Sequence, residues 1–130
     1  HYTHEKNPVT ARAALTTIEI IEDEDLVARS AHLGEYAMQR LKTEIGDLSI
    51  VGDIRGRGLM FGIEIVDDRV EKVPGKECAE RIYYSCLSSG LSFKISQGCV
   101  LTLSPPLTIE REDLDRALTI IENAIRDQAG

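Results

Sequence analysis

Residues 49–66 read SIVGDIRGRGLMFGIEIV. β-Branched and other apolar residues nearly alternate with polar ones, and glycines interrupt at 52, 56, 58 and 62. Near-alternation is the two-residue period of a strand with one covered face. Gly56 and Gly58 mark a tight bend or bulge, so the stretch predicts two consecutive strands. Leu59, Phe61, Ile63 and Ile65 share one face of the second strand. Arg55–Gly58, RGRG, has the glycine content of a phosphate loop. A phosphate loop, however, runs from a strand into a helix N-terminus, and this one runs from strand to strand. Its glycines are therefore read as structural, permitting a bend and close backbone packing. Arg55 and Arg57 are expected to form salt bridges at the edge of the core or between domains.

Working outward, Leu26, Leu33, Ala37 and Leu41 recur at helical spacing, with Arg29, Glu35, Gln39 and Lys42 outside. They predict an amphipathic helix ending near Gly46. Before it, the run EDED at 22–25 supplies acidic residues to that helix N-terminus. Asn7-Pro8 predicts another helix start: Asn caps free N–H groups, and Pro suits the first turn, where its missing donor costs nothing. From Val9 to about Ile21 that helix is apolar on most sides, which calls for cover on several faces. A chain of this length can scarcely provide it.

Downstream, 67–76 reads as a polar loop. Ala79, Ile82, Tyr83, Cys86 and Leu87 mark a third helix, closed at 88–90. Short strands are expected at Leu91 to Ile95 and Cys99 to Leu103, around a turn at 96–98, and Pro105-Pro106 stops the second. Thr108 is placed to cap the last helix, with Glu110, Glu112 and Asp113 in its first turn. Leu114, Ala117, Leu118, Ile121 and Ile125 form its apolar stripe, and Glu122 and Arg126 are spaced as an i,i+4 pair. The whole predicts an α+β fold: a short antiparallel sheet of three to four strands with helices packed on one face, preceded by a separate helix.

Composition narrows the function classes. The chain has 130 residues, enough for one core without disulfide staples. Twenty-two acidic against 15 basic residues give a formal charge of −7 and no lysine/arginine cluster, which argues against a nucleic-acid partner. Cys78, Cys86 and Cys99 form no CxxC pair and are odd in number, which points to a reducing, cytoplasmic setting and to inert thiols. No run approaches the ~20 apolar residues of a membrane span. His1 and His4, with Glu5 adjacent, could be half of a metal site. His32 is distant, though, and a zinc site needs three or four protein ligands, so no metal is expected. The chain opens without methionine or leader and reads as a piece of a longer protein. No Ser/His/Asp or GxSxG constellation appears, and the residues alone give no complete catalytic site.

Val51, Asp53, Arg55, Gly56, Gly58, Leu59, Gly62 and Glu64 follow, in order, a pattern of the small C-terminal domain of class III aminotransferases. These are pyridoxal-phosphate (PLP) enzymes of fold type I, and the stretch resembles them. THEKNPVTARAALTTIEIIEDEDL at the start and VLTLSPPLTIEREDLDRAL near the end are similar to flanking segments of the same family, so the resemblance covers nearly the whole chain.

The resemblance implies a two-part organisation. Residues 1–22 would be a cofactor-facing loop and interdomain helix at the end of the large domain, and 23–130 the small C-terminal domain. It implies PLP as cofactor and a homodimer formed through the large domain. It also implies that Thr3, five residues before Pro8, binds the phosphate of the partner subunit's PLP. The Schiff-base lysine, the aspartate facing the pyridine nitrogen and the ring-stacking aromatic of the family match nothing here, so no catalytic residue is assigned and the chain alone is expected to be inactive.

One departure bears on substrate. Thr102 stands three residues before Pro105, where α-amino-acid-handling members carry a carboxylate-clamping arginine, and a threonine cannot make that bidentate charged pair. The expected activity of the intact enzyme is amino-group transfer between an amine or amino acid and a keto acid. Ammonia-lyase, racemase or decarboxylase chemistry is the alternative within the family, and a non-catalytic interaction or dimerisation module the alternative outside it.

Overall fold

The computed structural model describes residues 7–130. Helix α1 spans Pro8–Asp23 and α2 spans Leu26–Ile45. Strands β1 (Val51–Arg57), β2 (Met60–Asp68) and β3 (Val73–Pro74) follow, then α3 (Lys76–Ser88), β4 (Lys94–Ser96), β5 (Val100–Leu103) and α4 (Arg111–Ala129). Strands β1, β2, β5 and β4 lie side by side in that order, all antiparallel, and the two-residue β3 pairs with the far end of β2. The fold is α+β, as the pattern predicts. The small β3 was not anticipated, because two residues in a polar loop carry no period.

The hairpin that organises the sheet carries two separate irregularities. Its turn is at Gly58-Leu59: Arg57 pairs with Met60, and Gly58 has φ +55. Positive φ at the first central position of a two-residue turn is a glycine requirement. The bulge is elsewhere, at Gly52, between the Val51–Ile65 and Asp53–Glu64 pairs. A Cβ there would come 2.7 Å from Val66 Cγ1. By inserting one residue the bulge puts Val51 and Ile54, three apart, on the same buried face.

That face holds Val51, Ile54, Phe61, Ile63, Ile65, Leu101 and Leu103. Helices α2 and α3 lie over it, and α4 packs against both. They contribute Ala37, Leu41 and Ile45, then Ala79, Ile82 and Cys86, then Leu114, Leu118, Ile121 and Ile125. Among the described residues, no helix lies on the opposite face of the sheet.

Capping was legible at one end of the chain and not at the other. Asn7 Oδ1 accepts from Val9 N at 2.9 Å, with Pro8 in the first turn, as expected. The N-cap of α4 is Glu110 rather than Thr108. Arg29 holds this entry, donating to Ile109 O at 2.7 Å and pairing with Glu110 at 3.3 Å. Arg29 therefore faces the neighbouring element rather than solvent. Tertiary partners also displace the expected Glu122–Arg126 pair: Glu122 takes Arg40, and Arg126 takes Glu44.

Among the described residues, helix α1 contacts the other elements only through α2 and buries none of its residues. Val9, Leu15, Ile18 and Ile20 are exposed on it. The expected cover is not provided by the described residues.

Between α2 and α4, the Tyr36 hydroxyl donates to Asp115 Oδ1, and the Arg111 guanidinium lies 3.4 Å from the Tyr36 ring centre. The tyrosine hydrogen bond, followed by the nearby Arg111 and Arg40 charges, holds the Asp115 carboxyl below its ordinary 3.8. A lowered folded pKa means stability present above the unfolded value and lost as pH falls through the folded one. Tyr36→Phe should therefore move the midpoint of acid unfolding, read by circular dichroism, to higher pH. An unchanged midpoint would remove Tyr36 from the acid response.

Candidate functional site

Pairing register defines the uncovered face of the sheet. Arg55 pairs with Gly62, Gly62 with Thr102, and Thr102 with Lys94. Directly opposed residues in antiparallel strands project to the same side. Arg55, Thr102 and Lys94 thus form one row across four strands, with a gap over Gly62. The adjacent row is Asp53, Glu64, Val100 and Ser96.

The two ends of this surface differ in charge. Arg55 Nη1 donates to Glu64 Oε2 at 2.7 Å and to Asp53 Oδ2 at 3.0 Å. These bonds, Glu64 foremost, raise the guanidinium pKa. The trio carries a formal charge of −1. Arg55 is thus the salt-bridge former that its place in RGRG implied, whereas Arg57 makes no ion pair among the described residues. At the other end Lys94 is exposed and likewise makes no ion pair among the described residues. Half-buried Thr102 donates from Oγ1 to Ser96 Oγ at 2.9 Å. A cavity of about 440 Å³ that also touches Lys94 and Thr102 lies on the helix-covered side of the sheet, lined by Phe61, Leu103, Leu114 and Leu118.

Thr3, His1, His4 and Glu5 lie outside the described residues. Thr102 is placed on the uncovered face, next to a cation that the sequence reading did not single out. Lys94 could have been found from the same data once β4 and β5 were set in register, because the alternation in 94–96 puts Lys94 and Ser96 together. The described residues contain no metal-holding cluster. Among the described residues, no helix is long and apolar enough to cross a membrane. All three cysteines are buried. Burial pushes the Cys86 thiol up to about 11 and raises that of Cys78, which disfavours the reactive thiolate.

Comparison with known proteins matches this architecture to a family. The chain is 45% identical over 125 residues to an (R)-1-hydroxy-2-aminoethylphosphonate ammonia-lyase of Vibrio splendidus, covering 96% of the chain and 26% of that protein. It is 45% identical over 121 residues to a leucine/methionine racemase of Thermococcus litoralis, covering 93% of the chain and 27% of that protein. A solved aminotransferase from Bacillus anthracis superimposes with a TM-score of 0.82 at 37% identity, over 88% of this chain and 27% of that one. The chain thus spans about a quarter of the length of the relatives it matches. The model of the family described as aminotransferase class-III matches residues 2–125. With the hairpin, the helical cover and the terminal helix all inside that match, the chain belongs to the class-III aminotransferase family.

Proposed function

We propose that this chain is the C-terminal part of a PLP-dependent enzyme that moves an amino group between an amine or amino acid and a keto acid. The observation that carries the reading is the family match, which runs through every described element but the last residues of α4. The exposed apolar residues of α1 support it, because Val9, Leu15, Ile18 and Ile20, spread over more than one side of the helix, call for more protein than the described residues provide. On this reading 1–22 joins a large domain to the small domain formed by 23–130, and two copies associate through the large domains.

When bound, PLP supplies an electron sink for the reaction. On this reading Thr3, five residues before Pro8, would offer its hydroxyl and backbone N–H to the phosphate, donors that suit a dianion. That phosphate belongs to the partner's cofactor. Thr3→Ala in the intact enzyme should weaken PLP binding by about tenfold, the scale of one charge-assisted hydrogen bond. Unchanged affinity, read by titrating cofactor into the stripped enzyme, would rule out the phosphate role.

A second reading keeps the cofactor and changes the reaction. The relatives at 45% identity are named as an ammonia-lyase and a racemase, and Thr102 replaces the arginine expected of enzymes that clamp an α-carboxylate. Ammonia release without a keto acid would favour the lyase. Loss of optical activity without net conversion would favour the racemase. Keto-acid-dependent amine transfer would favour the aminotransferase.

A further inference from the structure

We propose that the cavity between α4 and the end of the sheet is a socket for an apolar side chain, aliphatic or aromatic, from the part of the polypeptide upstream of residue 1. The inference rests on the reading of the chain as the C-terminal part of a longer enzyme, and adds a place where the two parts lock together.

The cavity has a volume of about 440 Å³. Phe61 and Leu103, cross-strand partners on the covered face, line one side of it. Leu114, Ala117 and Leu118 of α4 line another. Protein interiors are packed as densely as organic crystals, with few voids larger than a water molecule. This space is far larger than packing inside a domain tolerates. Two features hold it open. Pro105 and Pro106 form part of the wall, and their rings fix φ near about −65°, which keeps that segment from folding inward. The Phe93 ring, also in the wall, packs edge-on against Tyr83 with the ring centres 5.4 Å apart, which holds it toward α3.

The lining sets the chemistry of the occupant. Lys94 is the one charged residue in it, and pairing with Thr102 puts that side chain on the other face of the sheet. The buried walls are hydrocarbon. Such a cavity holds water poorly and gains from each apolar group that enters. Length then decides the source. The chain spans about a quarter of the relatives it matches, so on the C-terminal reading most of the polypeptide lies upstream. Helix α1, which would join the two parts, exposes Val9, Leu15, Ile18 and Ile20 and calls for cover from the same direction. A side chain on the same polypeptide is present at a high effective concentration, an advantage that a free small molecule lacks.

The test uses the intact PLP-loaded enzyme. Photo-leucine, which keeps the shape of leucine, is incorporated at Leu114, the enzyme is irradiated, and the cross-linked peptides are mapped. A cross-link from the α4 peptide to a peptide upstream of residue 1 is expected. Cross-links confined to residues 1–130 would overturn the proposal. Ala117→Leu reads the same contact by its sign. An occupied socket has no room for the larger side chain, so the apparent Tm should fall by about 2–6 °C, the scale of overpacking a core. A raised or unchanged Tm would mean that the socket has room to spare, and would equally overturn it. So would a rise in Tm of the wild type with indole that Ala117→Leu abolishes, because that marks a small-molecule site. Cofactor absorbance is read on the same samples. Its absence removes the enzyme reading, whereas an upstream cross-link in that sample still upholds the socket.

Discussion

Gly34→Ala should destabilise the fold by about 3 kcal/mol or more, at the upper end of overpacking costs. In an ordinary exposed helix the same change stabilises, because alanine is favoured over glycine by roughly 1 kcal/mol. The sign reverses here because α2 crosses the β1–β2 turn at backbone contact. A Cβ on Gly34 would lie 2.1 Å from Gly58 O and 2.3 Å from its carbonyl carbon. Neither atom belongs to a flexible side chain that could swing away. Ser30, one helical turn earlier, fixes the same turn by accepting from Leu59 N at 3.1 Å. Gly58 has its own two reasons to be glycine: φ is +55, and a Cβ would meet Ser30 Oγ at 2.6 Å. Urea unfolding followed by circular dichroism measures the loss. Gly130→Ala, at a position with nothing within 4 Å, serves as the control. A Gly34→Ala variant as stable as its parent would mean that the helix and turn can separate, and the seating of α2 on the hairpin would need revision.

This contact explains what RGRG is for and why its purpose was only half visible in the sequence. That the glycines serve packing could be read from their position between two strands. Their partner could not. Gly34 looks like a flaw in an otherwise good helix, and nothing in local spacing links it to residues 24 positions later. The bulge at Gly52 was hidden for a related reason. Val51, Asp53 and Arg55 look like an unbroken alternation, and only pairing with β2 reveals that Ile54 faces inward and Asp53 outward. Local signals that act within a few residues were legible: the Asn7-Pro8 cap, the helical stripes of α2 and α4, and the strand period of β2. Signals that depend on which elements meet were not. They include the Arg29 hold on the entry to α4, the Lys94–Thr102 pairing and the partners of Glu122.

The same logic makes Arg40→Ala the other large effect, with an expected cost of about 3–5 kcal/mol, the range for stranding one member of a buried ion pair. Glu122 is the one charged residue in the core among the described residues, with 3% of its surface exposed. Arg40 holds it with both arms of the guanidinium, Nε to Oε1 and Nη2 to Oε2, each at 2.8 Å. Its remaining nitrogen reaches Asp115 Oδ1 at 3.1 Å, and Nη2 also donates to Thr119 Oγ1 at 2.8 Å. The Glu122 bond is the leading reason that the Arg40 pKa is raised. Truncation to alanine leaves a carboxylate among Leu118, Ile121 and Ile125 without a partner, and an unpaired charge in such surroundings is far more costly than the pair is beneficial. The double variant Arg40→Met/Glu122→Leu removes both charges and keeps the volume. It should recover most of the loss and could exceed the parent in stability, as apolar replacements of buried pairs often do. A double-mutant cycle on urea midpoints separates the two effects. If Arg40→Ala and the double variant were equally unstable, the cost would lie in the lost packing of the arginine stem rather than in the stranded carboxylate, and the ion pair would not be what fixes α2 against α4.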